Sequence, residues 1–326
     1  MIMKLKLLLS CFIILGFIWT LPVFAVQPAS ILVNISPSNP APFENTTITL
    51  NSFSSNLDTV LINWLVNGKT ALSGIGKKSF LITTGAAGTE LKIQVKIFLP
   101  DGEIDKNITL APSEMVLLWQ ADDSYVPPFY KGKALPSVSS KIKIVAMPEI
   151  KNNGRKVNSK NMTYSWQKDY NNMQNDSGYG KNFFSYIDDY LEDSSIVSVI
   201  ASTIDQKFSS ESEIQIMPTQ PKILFYKEDA NLGTIWETML SDTYKISGEG
   251  IIKAEPYFIS PKDLRRPELV FSWSINDNPV SVSSLKKNLM PLKVDTESSG
   301  QSKLKLEIEN KDKIFQTVNK EINVNF

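Results

Sequence analysis

The side chains that usually carry chemistry are few in this chain. Its 326 residues contain no histidine and one cysteine, Cys11. Ser-His-Asp triads and histidine metal sites are therefore excluded. A thiol nucleophile would have to be Cys11, which lies in an apolar N-terminal stretch. Paired carboxylates could serve a glycosidase, and Glu103/Asp105 and Glu211/Glu213 are the candidates. Both pairs fall at predicted strand ends, where charged pairs are ordinarily solvated. No motif points to a Ser-Lys dyad. No constellation meets the geometry of a catalytic site, so no enzyme and no cofactor are expected.

Three short motifs invite binding chemistry. Gly74-Ile-Gly76-Lys77 and Gly178-Tyr-Gly180-Lys181 resemble fragments of a phosphate loop, but lack its spacing and the helix that must follow. They read as turns or bulges. Asn276-Asp-Asn-Pro279 offers one carboxylate, too few hard ligands for calcium, and reads as a turn. Asp122-Asp123 and Asp188-Asp189 read as solvated loop tips. No metal site is expected. The most unusual stretch runs from Trp119 to Lys133, where Trp119, Tyr125, Phe129 and Tyr130 surround Pro127-Pro128. Two readings stand: packing of a joint between the first and second repeats, or an aromatic surface for a glycan or protein partner.

The elements that must position these residues follow from periodicity and repetition. Leu91–Ile97, Lys141–Val145 and Leu304–Ile308 alternate apolar and polar side chains, the pattern of strands buried on one face. Asn67-Gly68 and Asp101-Gly102 are hairpin-turn dipeptides. No long amphipathic helix is predicted, and Trp236–Leu240 reads as a short helical turn at most. Trp64, Trp166 and Trp273 recur 102 and 107 residues apart, each two positions after an apolar or aromatic residue. A Gly-x-Gly-Lys turn follows the first two; the third keeps only Lys286-Lys287-Asn288. An alternating strand and a last strand complete each unit. Equivalent placement in three divergent units marks the tryptophans as core residues rather than sugar platforms.

Fold class is therefore all-β: three tandem β-sandwiches over 26–112, 113–218 and 219–326, divided at Pro112 and at Pro218/Pro221. Short proline-bearing linkers predict a semi-rigid rod. The Trp-turn-strand unit resembles immunoglobulin-like and PKD-like modules of exported bacterial surface proteins. Two departures stand out. The Gly-Asp-Gly turn of PKD modules is absent, and so is the antibody-type disulfide. The resemblance implies modular extracellular architecture and no reaction.

Lys4, Lys6, the apolar run Leu7–Phe24 and Pro22-Val-Phe-Ala25 have the form of an export signal cleaved after Ala25. A retained N-terminal anchor is the alternative, and it would be the chain's only link to a membrane. Leu8-Leu-Ser-Cys11 resembles a lipidation box, but most of the apolar region follows it. Cleavage leaves 32 basic against 34 acidic residues, a net charge of −2, with no cysteine and no disulfide. Balanced charge argues against a nucleic-acid partner. Five Asn-x-Ser/Thr triplets, headed by Asn34, Asn45, Asn107, Asn161 and Asn175, matter only in a eukaryotic secretory pathway. The C-terminus shows no sorting signal. Together these features predict an extracytoplasmic, non-catalytic envelope or surface protein with an adhesive or structural role. A carbohydrate-binding module using the 119–130 aromatics is the alternative, and a carboxylate glycosidase the remote one.

Overall fold

The computed structural model describes residues 30–152, 155–295, 298–313 and 315–326. The segment expected to be an export signal, its expected cleavage site and Cys11 lie outside the described residues. Among the described residues every regular element is a strand, apart from four single 3-10 turns, and no helix is long and apolar enough to cross a membrane. The chain divides into two compact units. Of the described residues, the smaller holds 30–38, 46–82 and 92–109; the larger holds those from 110 to 326 with 39–45 and 83–91.

The smaller unit is a sandwich of two antiparallel sheets. Ile31–Ser36, Asn45–Ser52 and Ser79–Thr83 form one; Lys69–Ile75, Leu61–Val66, Leu91–Leu99 and Gly102–Leu110 form the other. Alternation places Ile48, Leu50, Ile62, Trp64, Ile93, Val95 and Ile97 between them, fully buried.

The larger unit contains two sandwiches, each with its own core. In the first of these, Phe183–Ile187, Lys141–Glu149 and Glu114–Ala121 pack on a sheet built from Met162–Lys168, Ser195–Thr203 and Ser209–Ile216. In the second, Gly233–Met239, Lys222–Asp229, Glu249–Tyr257 and Leu289–Lys293 pack on Thr243–Lys245, Thr317–Asn325, Gln301–Asn310, Leu269–Ile275 and Asn278–Val280. We refer to these as the second and third sandwiches.

One device holds each core. The indole nitrogens of Trp64, Trp166 and Trp273 donate to the carbonyls of Lys77, Lys181 and Lys287 at 2.8, 2.8 and 2.9 Å. The next residue along accepts from the facing sheet: Lys78 from Leu50 N–H, Asn182 from Ala146, Asn288 from Ala254, at 2.8–2.9 Å. Two consecutive carbonyls thus staple one sheet to the other, and the buried indole N–H is satisfied. Trp64 stacks on Phe80 and Trp166 on Phe184, each three residues after the acceptor lysine. In the third sandwich Met290 holds that position, and Phe225 supplies the ring from another strand.

The glycine motifs serve the staple. Gly76 and Gly180 sit at φ +68° and +70° and turn the chain toward the tryptophan. A Cβ on Gly76 would lie 2.9 Å from the Asp58 carbonyl oxygen. Hairpins after each tryptophan use two left-handed residues: Asn67-Gly68, Asp169-Tyr170 and Asn276-Asp277. Their first side chains accept from the N–H of Lys92, Ile196 and Lys303. This gives Asn276-Asp277 its role as a turn.

One sequence expectation fails here. Gly233–Met239, which contains Trp236, is a strand and not a helical turn. Thr234, Ile235, Trp236 and Thr238 are β-branched or aromatic and favour the pleated surface.

Candidate functional site

The segment 119–130 was expected at a joint between the first and second repeats. The structure places it between the second and third sandwiches. Tyr125 N–H donates to the Ile259 carbonyl at 2.7 Å, and Phe258 N–H returns to the Tyr125 carbonyl at 2.8 Å. The Tyr125 hydroxyl donates to Glu255 Oε2 at 2.7 Å. Burial and the Glu255 carboxylate push the phenol pKa upward. Glu255 is only 1% exposed and also pairs with Lys253 at 3.1 Å. A buried carboxylate needs such partners.

Around this pair an aromatic cluster forms. Tyr130 meets Tyr257 and Phe258 edge-on, each at 5.8 Å between centroids. The Tyr257 and Tyr226 hydroxyls lie 3.2 Å apart. Trp236 packs on Tyr226 at 5.3 Å, with Lys253 Nζ 4.8 Å from its ring centre. Phe129 meets the edge of Trp236 at 6.4 Å and remains 82% exposed, at φ +64°.

The four predicted binding aromatics therefore part company. Trp119 packs on the core of the second sandwich, and Lys133 Nζ sits 3.3 Å above its ring. Tyr125 and Tyr130 are built into the joint. Phe129 alone is presented to solvent. Trp64, Trp166 and Trp273 lie at 0–2% exposure. Tyr226, Lys253, Glu255 and Tyr257 escaped notice in the sequence, and Trp236 stood out only as part of a short helical turn. The Tyr257-Phe258 doublet was their best signal, but nothing local ties it to residue 125.

Polar groups complete the joint. Gln316 Nε2 donates to the Val138 carbonyl at 2.6 Å, and its Oε1 accepts from Ser260 N–H at 3.0 Å. Asn310 Nδ2 reaches the Ser260 carbonyl at 2.7 Å. Lys313 bridges to Asp123 at 2.5 Å, and Asp123 also accepts from Lys141 N–H. Asp123 is thus a joint residue rather than a solvated tip.

Asp188 also departs from expectation, at 2% exposure. Its Oδ2 accepts no hydrogen bond, and Ser195 Oγ approaches Oδ1 at 3.4 Å. Burial pushes its pKa up to about 6, with Glu192 adding to the shift. Lys168 is clamped by Asp169 at 2.6 Å and Glu192 at 2.7 Å. A perturbed carboxyl often marks a catalytic site, but this one is sealed from solvent.

The proposed glycosidase acids lie in the open. Glu103 and Asp105 share Lys96 at 2.8 and 3.8 Å on a sheet face. Glu211 and Glu213 are exposed on one strand. A groove of the third sandwich collects Glu228, Asp229 and Glu249. There Glu249 pairs with Lys293 and Glu228 accepts from Thr234. Among the described residues no cluster of acidic or thiol groups forms a metal site.

No protein-family model matches the chain, and no curated protein matches its sequence. Solved structures to which the chain is similar include the fibronectin(III)-like modules of Clostridium thermocellum CbhA. That match has 15% identity and TM-score 0.29 over 59% of this chain and 95% of that one. Sidekick-1 immunoglobulin domains 1–5 match at 13% and 0.30, over 92% and 60% of the two chains. The central fibronectin-III array of RIM-binding protein matches at 9% and 0.32, over 92% and 97%.

Proposed function

We propose that this is an exported, extracytoplasmic protein of the cell envelope or surface, with an adhesive or structural and non-catalytic role. The observation that carries the proposal is the joint between the second and third sandwiches. A flexible tether would need none of its buried bonds. Tyr125–Glu255, Gln316–Val138 and Lys313–Asp123 instead fix two sandwiches as one block. Such a block transmits load or holds loops at a set spacing. Glu103 and Glu249 are paired with lysines, Glu228 accepts from Thr234, and Glu211 and Glu213 stand exposed side by side on one strand, so none of these acids is opposed to another across an enclosed cleft. Deleting the gene and measuring attachment and envelope integrity tests the role. Wild-type behaviour in both assays would sink it.

A second reading, glycan recognition, is favoured by one observation: the exposed Phe129 against Trp236. Pull-down of the full chain with cell-wall and soluble polysaccharides, beside Phe129→Ala/Trp236→Ala, tests it. Binding lost in the double variant would support the glycan reading. Absence of binding by either form would return the cluster to joint packing.

A further inference from the structure

We infer that the open edge of the third sandwich's strand Leu269–Ile275, at Phe271, is a strand-addition site for an extended, glycine-bearing peptide segment of a partner protein. The starting point is a difference between the three sandwiches. In the first, the tryptophan strand Leu61–Val66 is covered along its length by Lys69–Ile75, which sets Gly74 opposite Ile62. In the second, a two-residue piece covers the same place, with Gly178 opposite Tyr164 and Tyr179 opposite Thr163. Ile62 and Tyr164 stand two residues before their tryptophans, where the third sandwich has Phe271. There the covering strand Asn278–Val280 reaches only Trp273, Ser274 and Ile275.

Alternation along the strand shows what is left open. Asn276 N–H donates to the Lys303 carbonyl, so the even-numbered residues of this strand bond to Gln301–Asn310. The N–H and C=O of Phe271 therefore point to the other side. Among the described residues nothing bonds to them there.

The sequence accounts for the gap. Gly76 and Gly180, at positive φ, carry the chain along the edge in the first two sandwiches. Their N–H groups donate to the Val60 and Met162 carbonyls at 3.0 and 2.9 Å. The third sandwich has no glycine between Trp273 and its staple residue Lys287. Its chain makes a 3-10 turn over Ser284–Lys286 instead. Lys287 Nζ then donates to the corresponding carbonyl, that of Leu269, at 3.0 Å. One end of the edge is capped by a side chain, and Phe271 is left uncovered beside it.

The uncovered edge is the wall of a groove. Val270, Phe271 and Ser272 line one bank and Pro279, Val280 and Val282 the other, around about 470 Å³. A single extended chain meets Phe271 at the ~4.8 Å spacing of paired strands, whereas the edge of a second copy's sheet would bring its own neighbouring strands against the far bank.

The two covered edges define the chemistry of the occupant. Unpaired N–H and C=O groups on a strand edge are matched by another extended backbone. At this position the chain itself uses glycine twice. A Cβ on Gly74 would press on the Lys77 stem at 3.2 Å, and one on Gly178 would touch that of Lys181 at 3.9 Å. Lys287 is the matching staple residue, and it lines the groove. A partner segment should therefore set glycine opposite Phe271. Two main-chain bonds alone give binding of about millimolar strength. The inference does not rest on the export or adhesion proposed above.

Amide hydrogen exchange of the full chain, purified as the cell processes it, tests the inference. The probe is the capped tetrapeptide Ser-Gly-Tyr-Gly, residues 177–180 of this chain. In the free protein the Phe271 amide should exchange at least about a hundredfold faster than those of Ile62 and Tyr164. Probe at about ten times its Kd should slow Phe271 by about tenfold and leave Ile62 and Tyr164 unchanged. The same peptide with Gly178→Pro lacks the N–H that meets the Phe271 carbonyl and should give no slowing. A Phe271 amide as protected as its two counterparts would mean the edge is already covered, and overturns the inference. So does a probe without effect up to about 20 mM, or equal slowing by the proline form. Protection that rises with protein concentration alone would make a second copy the occupant and overturn the assignment to a partner's peptide.

Discussion

The tryptophan staple and the outward sheet faces are both present three times, yet they behave in opposite ways. The staple keeps its geometry from one sandwich to the next: the same indole-to-lysine-carbonyl bond within 0.1 Å, the same neighbouring carbonyl to the facing sheet. Its residues vary where chemistry permits, as when Phe225 replaces the stacked ring from another strand. The outward faces keep only their backbone. One is largely polar with Leu32 and Leu81 exposed on its outer strands, one carries exposed Phe183, Leu118, Met147 and Val116, and one is built into a joint. Interior packing admits few solutions, because buried N–H groups must be satisfied and volume filled. A solvated face is free to differ, and what distinguishes this protein is written there.

The largest effect should come from the staple. Trp166→Ala removes a side chain at 0% exposure, its stack on Phe184 and its bond to Lys181. Loss of ~3–5 kcal/mol is expected in denaturant unfolding. A shift below about 1 kcal/mol would mean the staple is not what holds the second sandwich.

Next comes Asp188, which is buried like a core residue but charged like a face residue. Its folded pKa, about 6, lies above the ordinary 3.8. The fold therefore favours the protonated form. That stability is fully present below pH ~4 and is lost as the pH rises through about 6. Asp188→Asn should be more stable than wild type at pH 7 by ~2–3 kcal/mol, with the difference vanishing near pH 4. Parallel stability–pH curves for the two proteins would show that the carboxylate is solvated after all.

Tyr125→Phe tests the joint. It deletes one hydrogen bond to a buried carboxylate that keeps Lys253. About 1–2 kcal/mol should be lost, and calorimetry should show the second and third sandwiches melting less cooperatively. An unchanged single transition would mean the backbone pair at Tyr125 and the Gln316 bond suffice.

Much of this architecture was legible in the chain. Period-two alternation located the long strands, and the spacing of Trp64, Trp166 and Trp273 located the three cores. The Gly-x-Gly-Lys turns were recognised as turns, but not as the source of the staple's acceptor carbonyl, which no side-chain pattern encodes. The joint was misplaced because Tyr125 and Glu255 are 130 residues apart. Local composition reveals that aromatics need burial, not which partner buries them. Asp188 was missed for the opposite reason: an acidic doublet is ordinarily solvated, and only the tertiary fold seals this one. Trp236 was misassigned because a five-residue window cannot separate helical from strand periods.

Phe129 should give the smallest change in stability and the clearest separation of the two regions. Its ring is 82% exposed and meets the edge of Trp236. Phe129→Ser removes that edge contact while leaving Tyr125, Tyr130 and the backbone pair in place. The melting curve should move by less than about 0.5 kcal/mol. A backbone at φ +64° is unfavourable for any residue with a Cβ, so serine neither relieves nor adds to that cost. An exposed phenylalanine held in this conformation contributes little to the interior, and its conspicuous property is access to solvent. If Phe129→Ser melts like wild type and loses retention on polysaccharide, the aromatic corner is a binding surface carried by the joint. If it destabilises the protein as much as Tyr125→Phe does, Phe129 belongs to the joint itself, and the division between packed interior and variable face must be redrawn there.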